Sequence, residues 1–271
     1  MKKFLSIFAA VALVFAMASC EEPVEEPNNN GGGNNTEQPG GNEGGGNTEQ
    51  PGGNEGGGNT EQPGGNEGGN TDSDYACLNG SDYYVIVLGE TYFQQIASKV
   101  KADCRPDDTT KFLYVWPDGS SYNAGTCSGP NVFGDVEDWT ALVTGSIGWT
   151  GMGYFVPNSY LQALTDITLN PNEYVLHVAM KSQDDAEHEF IFYDFVGGEF
   201  KVKIGNENSP YGFKRDGEWY EMEIPMTAWS GLLWNPSNYP ADGGNVLGVT
   251  SGLVAGKHLN LDACFIYKPA K

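Results

Sequence analysis

Residues 73–271 predict an all-β fold, a two-sheet antiparallel β-sandwich with one short helix, preceded by a disordered tether. Three observations carry this. Ten short runs rich in β-branched and aromatic residues recur, separated by Gly, Pro, Asn and Asp. Phe200-Lys201-Val202-Lys203-Ile204 alternates with period two, apolar residues on one face and lysines on the other. One stretch, Thr91–Lys101, places Phe93, Ile96, Ala97 and Val100 on a shared helical face.

In chain order the predicted strands are Tyr83–Leu88, Lys111–Trp116, Trp139–Gly145, Gly153–Val156, Glu173–Lys181, His188–Phe195, Glu199–Ile204, Trp219–Ile224, Asn245–Thr250 and Leu259–Tyr267. His188–Phe195 is apolar or aromatic almost throughout, as a central strand covered on both sides must be. After Pro225 a helical turn over Met226–Trp229 would pack across a sheet end.

The chain before Ser73 has another character. A basic start, Lys2-Lys3, leads into an apolar run from Phe4 to Met17 that is short for a membrane span and has the form of a secretory signal. Its ending, Met17-Ala18-Ser19-Cys20, resembles a bacterial lipobox, with Met where Leu is commoner. The resemblance implies a signal peptide at 1–19, cleavage before Cys20 and lipidation of its thiol, so that the chain is anchored in an outer membrane rather than spanning it. A plain secretory signal with an incidental cysteine is the alternative. Glu21, Glu22, Glu25 and Glu26 follow at once, and in lipoproteins of the Bacteroidetes such an acidic run accompanies display on the cell exterior. From Asn35 the sequence NTEQPGGNEGGG repeats from Asn47, and from Asn59 one glycine short. Nothing in the repeat can bury apolar surface, so 20–72 reads as the lipidated cysteine followed by a disordered tether, 21–72. As a flexible coil of 52 residues it spans about 40 Å root-mean-square.

The 271 residues carry a net charge of −22. Residues 21–72 hold 11 acidic and no basic groups, and 73–271 hold 25 acidic against 12 basic, or −13. That balance excludes nucleic acid and anionic lipid as expected partners, because both select basic patches. Besides Cys20 there are Cys77, Cys104, Cys127 and Cys264. Outside the cytoplasm these allow two disulfides in three pairings, Cys104–Cys127 being the first choice, while Cys264 within an apolar strand also fits a buried thiol. None of the spacings is of the short zinc-binding kind.

The succession Glu173–Lys181, Asp184-Asp185, Phe190–Phe195 and Gly217-Glu218-Trp219-Tyr220-Glu221-Met222-Glu223-Ile224-Pro225, closed by Leu261-Asp262-Ala263-Cys264-Phe265-Ile266-Tyr267, resembles the jelly-roll carbohydrate-binding modules. In them a Trp-containing strand ends in Ile-Pro and the last strand carries Leu/Ile-Asp. The resemblance covers about 95 residues and implies a jelly roll that binds a polysaccharide or oligosaccharide without cleaving it. Similar lipoproteins are commonly accessories of glycan-uptake systems, whose components would be further partners. No cofactor is expected. A structural calcium ion is compatible with Asp107-Asp108 or Asp184-Asp185.

His177 and His188 sit in apolar strands and read as structural; His258 is the third histidine. No Ser or Cys lies in a nucleophile elbow. Glycoside hydrolysis needs paired carboxylates, and Glu221 and Glu223 share a strand face with Trp219, but the laminarinase-type Glu-x-Asp-x-x-Glu pattern is cut short by Pro225, so a solvated face accounts for them better. Sugar binding needs flat aromatic faces with amides nearby. Trp149 and Tyr154 lie in a Gly-rich stretch, and Trp234-Asn235-Pro236-Ser237-Asn238-Tyr239 pairs aromatics with amides, which selects Trp149, Tyr154, Trp234, Asn235, Asn238 and Tyr239 as ligand-binding candidates, with Trp229 beside them. The competing account is that these aromatics plug the ends of the sandwich. Trp116, Trp139 and Trp219 lie within strands and read as core or sheet-face residues. Two other functions stay open: a surface adhesin or structural lipoprotein binding a protein, and a glycoside hydrolase.

Overall fold

The structure, a computed structural model, describes residues 73–116, 123–143, 150–251 and 256–271. The signal segment, Cys20, the tether and Trp149 lie outside them. A 3-10 turn at Ala76–Leu78 precedes β1 (Ser81–Val87), α1 (Glu90–Ile96), β2 (Val100–Asp103), β3 (Phe112–Trp116), β4 (Asn123–Pro130), β5 (Val136–Val143), β6 (Gly151–Val156) and α2 (Asn158–Leu169). There follow β7 (Val175–Lys181), β8 (His188–Tyr193), β9 (Glu199–Asn206), β10 (Gly212–Phe213), β11 (Tyr220–Pro225), β12 (Gly244–Ser251) and β13 (His258–Lys268).

These strands form the two sheets of a jelly-roll-type sandwich. The first has the order β11-β7-β13-β1-β2, with β5 also on β13 and β4 on β5; the second has the order β10-β9-β8-β12-β6-β3. All pairings are antiparallel except β1 with β2 and β9 with β10. Period-two alternation fills the space between the sheets: Leu176, Val178 and Met180 of β7 meet Phe190 and Phe192 of β8, Val202 and Ile204 of β9, and Leu247 and Val249 of β12. The outer face of the first sheet is covered as well. Cys77, Leu78, Tyr92, Ile96 and Phe133 lie over Tyr83, Val85, Ala263, Phe265 and Tyr267 there.

Several expectations need correction. α2 was not expected. Its Leu161, Leu164 and Ile167 recur at three-residue spacing and are fully buried, and the helix lies against β2 of one sheet and β12 of the other, closing an end of the sandwich. The helical stretch starting at Thr91 is shorter than its pattern implied, because Val100 and Lys101 already belong to β2. β4, with the sequence NAGTCSGP, has weak strand propensity, and its eight-residue register with β5 holds it extended. No disulfide joins the four described cysteines, so the Cys104–Cys127 pairing fails; all four are buried. Cys264 is a core thiol, as its strand position implied.

β13 shows why Leu261-Asp262 matters. Its first residues pair with β5 and its later ones with β1, and the ladder bulges between Asp262 and Phe265, with Ala263 at φ 43°. Asp262 is buried; its carboxylate accepts the Ala263 N–H at 2.7 Å and the Val132 N–H at 3.1 Å, which fixes the bulge and the β4–β5 turn together.

Candidate functional site

The proposed aromatic platforms are placed first by burial. Trp234 is 0% exposed, Tyr154 1% and Tyr239 8%, so none offers a ring face to a ligand. Tyr154 points into the inter-sheet core with Met152 and Val156, because period two puts it opposite Gly151 and Gly153. Trp229 and Trp234 plug the sandwich end: Trp229 Nε1 donates to the Phe190 carbonyl at 3.1 Å and Trp234 Nε1 to the Tyr193 carbonyl at 2.8 Å, with Phe192 packed edge-to-face on both. Asn235 is exposed, and its Oδ1 accepts the Ser237 N–H, capping the 3-10 turn Pro236–Asn238. Asn238 is half-buried. Asp107 and Asp184 are also engaged locally. Asp107 accepts the N–H groups of Thr109, Thr110 and Lys111, and Asp184 accepts from His258 N and Lys257 Nζ.

The same alternation that buries Tyr154 builds an open face on the other side of the second sheet. One rung runs Tyr114, Gly153, Gly248, Ile191, Lys201 across β3, β6, β12, β8 and β9. A neighbouring rung pairs Phe112 with Phe155 and Phe155 with Asn245, and Tyr193 pairs with Glu199. Phe112 is 39% exposed and its ring centroid lies 6.3 Å from that of Phe155. Tyr114, Phe155 and Tyr193 are half-buried. The glycine at 248 makes room: a Cβ there would sit 2.6 Å from the Tyr193 hydroxyl, so the tyrosine lies across the bare backbone. Burial pushes the Tyr193 phenol up to about 12, with Glu199 and Tyr114 adding to it. Lys201 lies between Glu189 (3.5 Å) and Glu199 (3.1 Å) on this face.

The face runs into a depression of about 310 Å³ lined by Tyr193, Phe195, Gly197, Gly198, Glu199 and Asn245. Asp194 shapes its rim, its Oδ1 accepting the N–H groups of Val196 and Gly198. Phe195 is held at φ 65°, a left-handed conformation costly for a bulky residue, and packs edge-to-face on Tyr239 at 5.6 Å. Asn245 Oδ1 is buried without a hydrogen-bond partner.

A larger cleft, about 670 Å³, opens where β5 and β1 leave the same edge of β13, with Trp139, Glu137, Arg105 and Asp103 in its wall. Its charges serve the fold. Arg105 pairs with Asp103 (2.9 Å) and Glu90 (3.0 Å) and stacks on Phe93, and Glu137 accepts the Thr91 N–H at the start of α1. Trp139 of β5 and Trp219, which stands just before β11 rather than within it, lie edge-to-face at 5.9 Å.

No protein-family model matches the sequence, and no curated protein does. Solved structures resemble it in arrangement. The family 11 carbohydrate-binding module of the cellulosomal cellulase Lic26A-Cel5E of Clostridium thermocellum aligns at TM-score 0.37 and 13% identity, over 59% of this chain and 88% of the module. A family 11 module from the same organism, in complex with a β-1,3-1,4-mixed-linked tetrasaccharide, aligns at 0.36 and 14%, over 60% and 90%. An exo-β-agarase aligns at 0.37 and 10%, over 61% of this chain and 24% of the enzyme.

Proposed function

We propose that residues 73–271 bind an extended polysaccharide without cleaving it, across the outer face of the second sheet. The observation that carries this is the row of half-buried rings at Tyr114, Phe155 and Tyr193 over a glycine floor, ending at the depression that Asn245 helps to line. Ring faces take the C–H surface of a sugar, and Asn245, Glu189, Glu199 and Lys201 reach hydroxyls. A flat, polar-edged trough suits a chain molecule better than a compact one. Glu189 and Glu199 on this face are both ion-paired to Lys201, at 3.5 and 3.1 Å, an arrangement that suits holding hydroxyls.

The wider setting is part of the same proposal. Lipid on Cys20 anchors the chain in the outer membrane, and residues 20–72 carry the domain outward, as an accessory of glycan capture. Affinity electrophoresis of the chain through gels containing individual glucans, galactans and xylans tests the binding reading. Retardation by at least one polymer is expected. Unchanged mobility in all, with retention instead on a protein partner, would favour adhesion.

A further inference from the structure

On the opposite side of the sandwich, the outer face of the first sheet carries a cluster that sugar binding does not use. His177 of β7 lies beside β11, where Glu223 is its register partner and Glu221 pairs with Ala179 two residues away. The 3-10 turn brings Cys77 over the same spot. Cys77 Sγ, a His177 ring nitrogen and a Glu221 carboxylate oxygen all lie within 4.8 Å of one another. His177 is 2% exposed and its ring stacks on Phe265 at 4.9 Å, yet neither ring nitrogen has a hydrogen-bond partner. Nε2 stands 3.5 Å from Glu221 Oε2 and Nδ1 3.7 Å from Glu223 Oε1. Glu223 is itself held by the Tyr267 hydroxyl.

A buried imidazole whose nitrogens face only carboxylates at 3.5 and 3.7 Å, without a hydrogen bond, gains from a ligand held between them. We infer that Cys77, His177 and Glu221 bind one divalent transition-metal ion of the zinc class. Thiolate, imidazole and carboxylate together are a borderline-soft donor set that suits Zn²⁺ or Co²⁺ and not Ca²⁺ or Mg²⁺. In a tetrahedral site these ligands bond at about 2.0–2.3 Å, so the three atoms close by roughly an ångström on the ion and water takes the fourth position. The Cys77 thiol proton leaves to solvent on binding. Glu223 completes the arrangement as a positioning residue: with Nε2 on the metal, Nδ1–H faces its carboxylate, the outer-sphere partner that fixes a ligating histidine. The ion would join the N-terminal segment, where the tether enters, to β7 and β11. The short-motif spacing rule misses such a site because its ligands lie 100 and 44 residues apart in sequence and meet through sheet pairing.

The full chain, stripped with a chelator, is titrated with Co²⁺ alone and then with Zn²⁺. One equivalent of Co²⁺ should give a thiolate-to-cobalt charge-transfer band that Zn²⁺ abolishes, and Zn²⁺ should raise the melting temperature. Cys77→Ser should remove the band, while Cys20→Ser and Cys264→Ser keep it. Glu221→Gln changes an exposed side chain without emptying the core and should weaken binding; Glu223→Gln should lower affinity about 10- to 100-fold with the band retained. No band in the folded wild type, or a band that survives both Cys77→Ser and Glu221→Gln, overturns the assignment.

Discussion

At the scale of single residues, Trp234 serves stability and Tyr193 the proposed binding, although the two are hydrogen-bonded to each other. Trp234 is a fully buried indole whose Nε1 holds the Tyr193 carbonyl, while the Tyr193 ring lies over Gly248 on the open face. Truncating a buried tryptophan costs about 3–5 kcal/mol. Trp234→Ala should therefore lower the melting temperature strongly in a thermal unfolding scan, whether or not a glycan is present. A near-native midpoint would return Trp234 to the surface. His188 gives a second test. It is buried at the start of β8, neither ring nitrogen has a hydrogen-bond partner, and burial, with the Arg215 charge, lowers its pKa from 6.5 to about 3. The folded state thus refuses a proton that the unfolded chain accepts. Stability is whole above pH 6.5 and falls as pH drops from there towards 3, by about 2 kcal/mol at pH 5 from this group. His188→Gln should flatten the fall in melting temperature between pH 6.5 and 5; an unchanged slope would assign it to other groups.

At the scale of elements, β6, β8 and β12 explain both what the sequence discloses and what it conceals. Period-two alternation in Phe200–Ile204 was legible, and β9 buries Val202 and Ile204 while exposing Lys201 and Lys203. The same rule applied to Gly151-Met152-Gly153-Tyr154 already separates Tyr154 from the glycines. Trp234 and Tyr239 drew attention through their Pro- and Asn-rich surroundings, but such a segment can fold inward when its indole N–H finds a carbonyl across the sandwich end. The open face was harder to see, since Tyr114, Phe155 and Tyr193 come from three strands that only the β3-β6-β12-β8 order makes neighbours. α2 was legible in principle from Leu161, Leu164 and Ile167, but its threonines and short length obscured the period. The element-level prediction concerns Gly248. A larger residue there must displace Tyr193, so Gly248→Val should reduce polysaccharide retention at least tenfold while the strand, already β-paired on both sides, keeps its fold by circular dichroism. Undiminished retention would mean that Tyr193 is not the platform.

At the scale of the whole molecule, the proposal separates a binding face from the means of presenting it. A tether that cannot bury apolar surface adds reach and no contacts, so deleting 35–69 should leave the affinity of the purified chain unchanged; a large loss would place the repeat within the site. The two faces of the sandwich also divide the work. The face over the second sheet carries the half-buried rings of the proposed site, and the face over the first is covered by the N-terminal turn and α1. The central claim is that the ring row on the second sheet, and not the larger cleft at Trp139, holds the glycan. The most direct measurement is calorimetric titration, with a polymer that retards the wild type, of Tyr114→Ala, Tyr193→Ala and Trp139→Ala variants whose melting temperatures are recorded alongside. Loss of an anchoring ring costs about 2 kcal/mol, roughly thirtyfold in Kd. The two tyrosine variants should each weaken binding by that order at near-native melting temperatures, and Trp139→Ala should bind as wild type. Loss of binding in Trp139→Ala with both tyrosine variants unaffected would move the site to the other cleft and contradict the account.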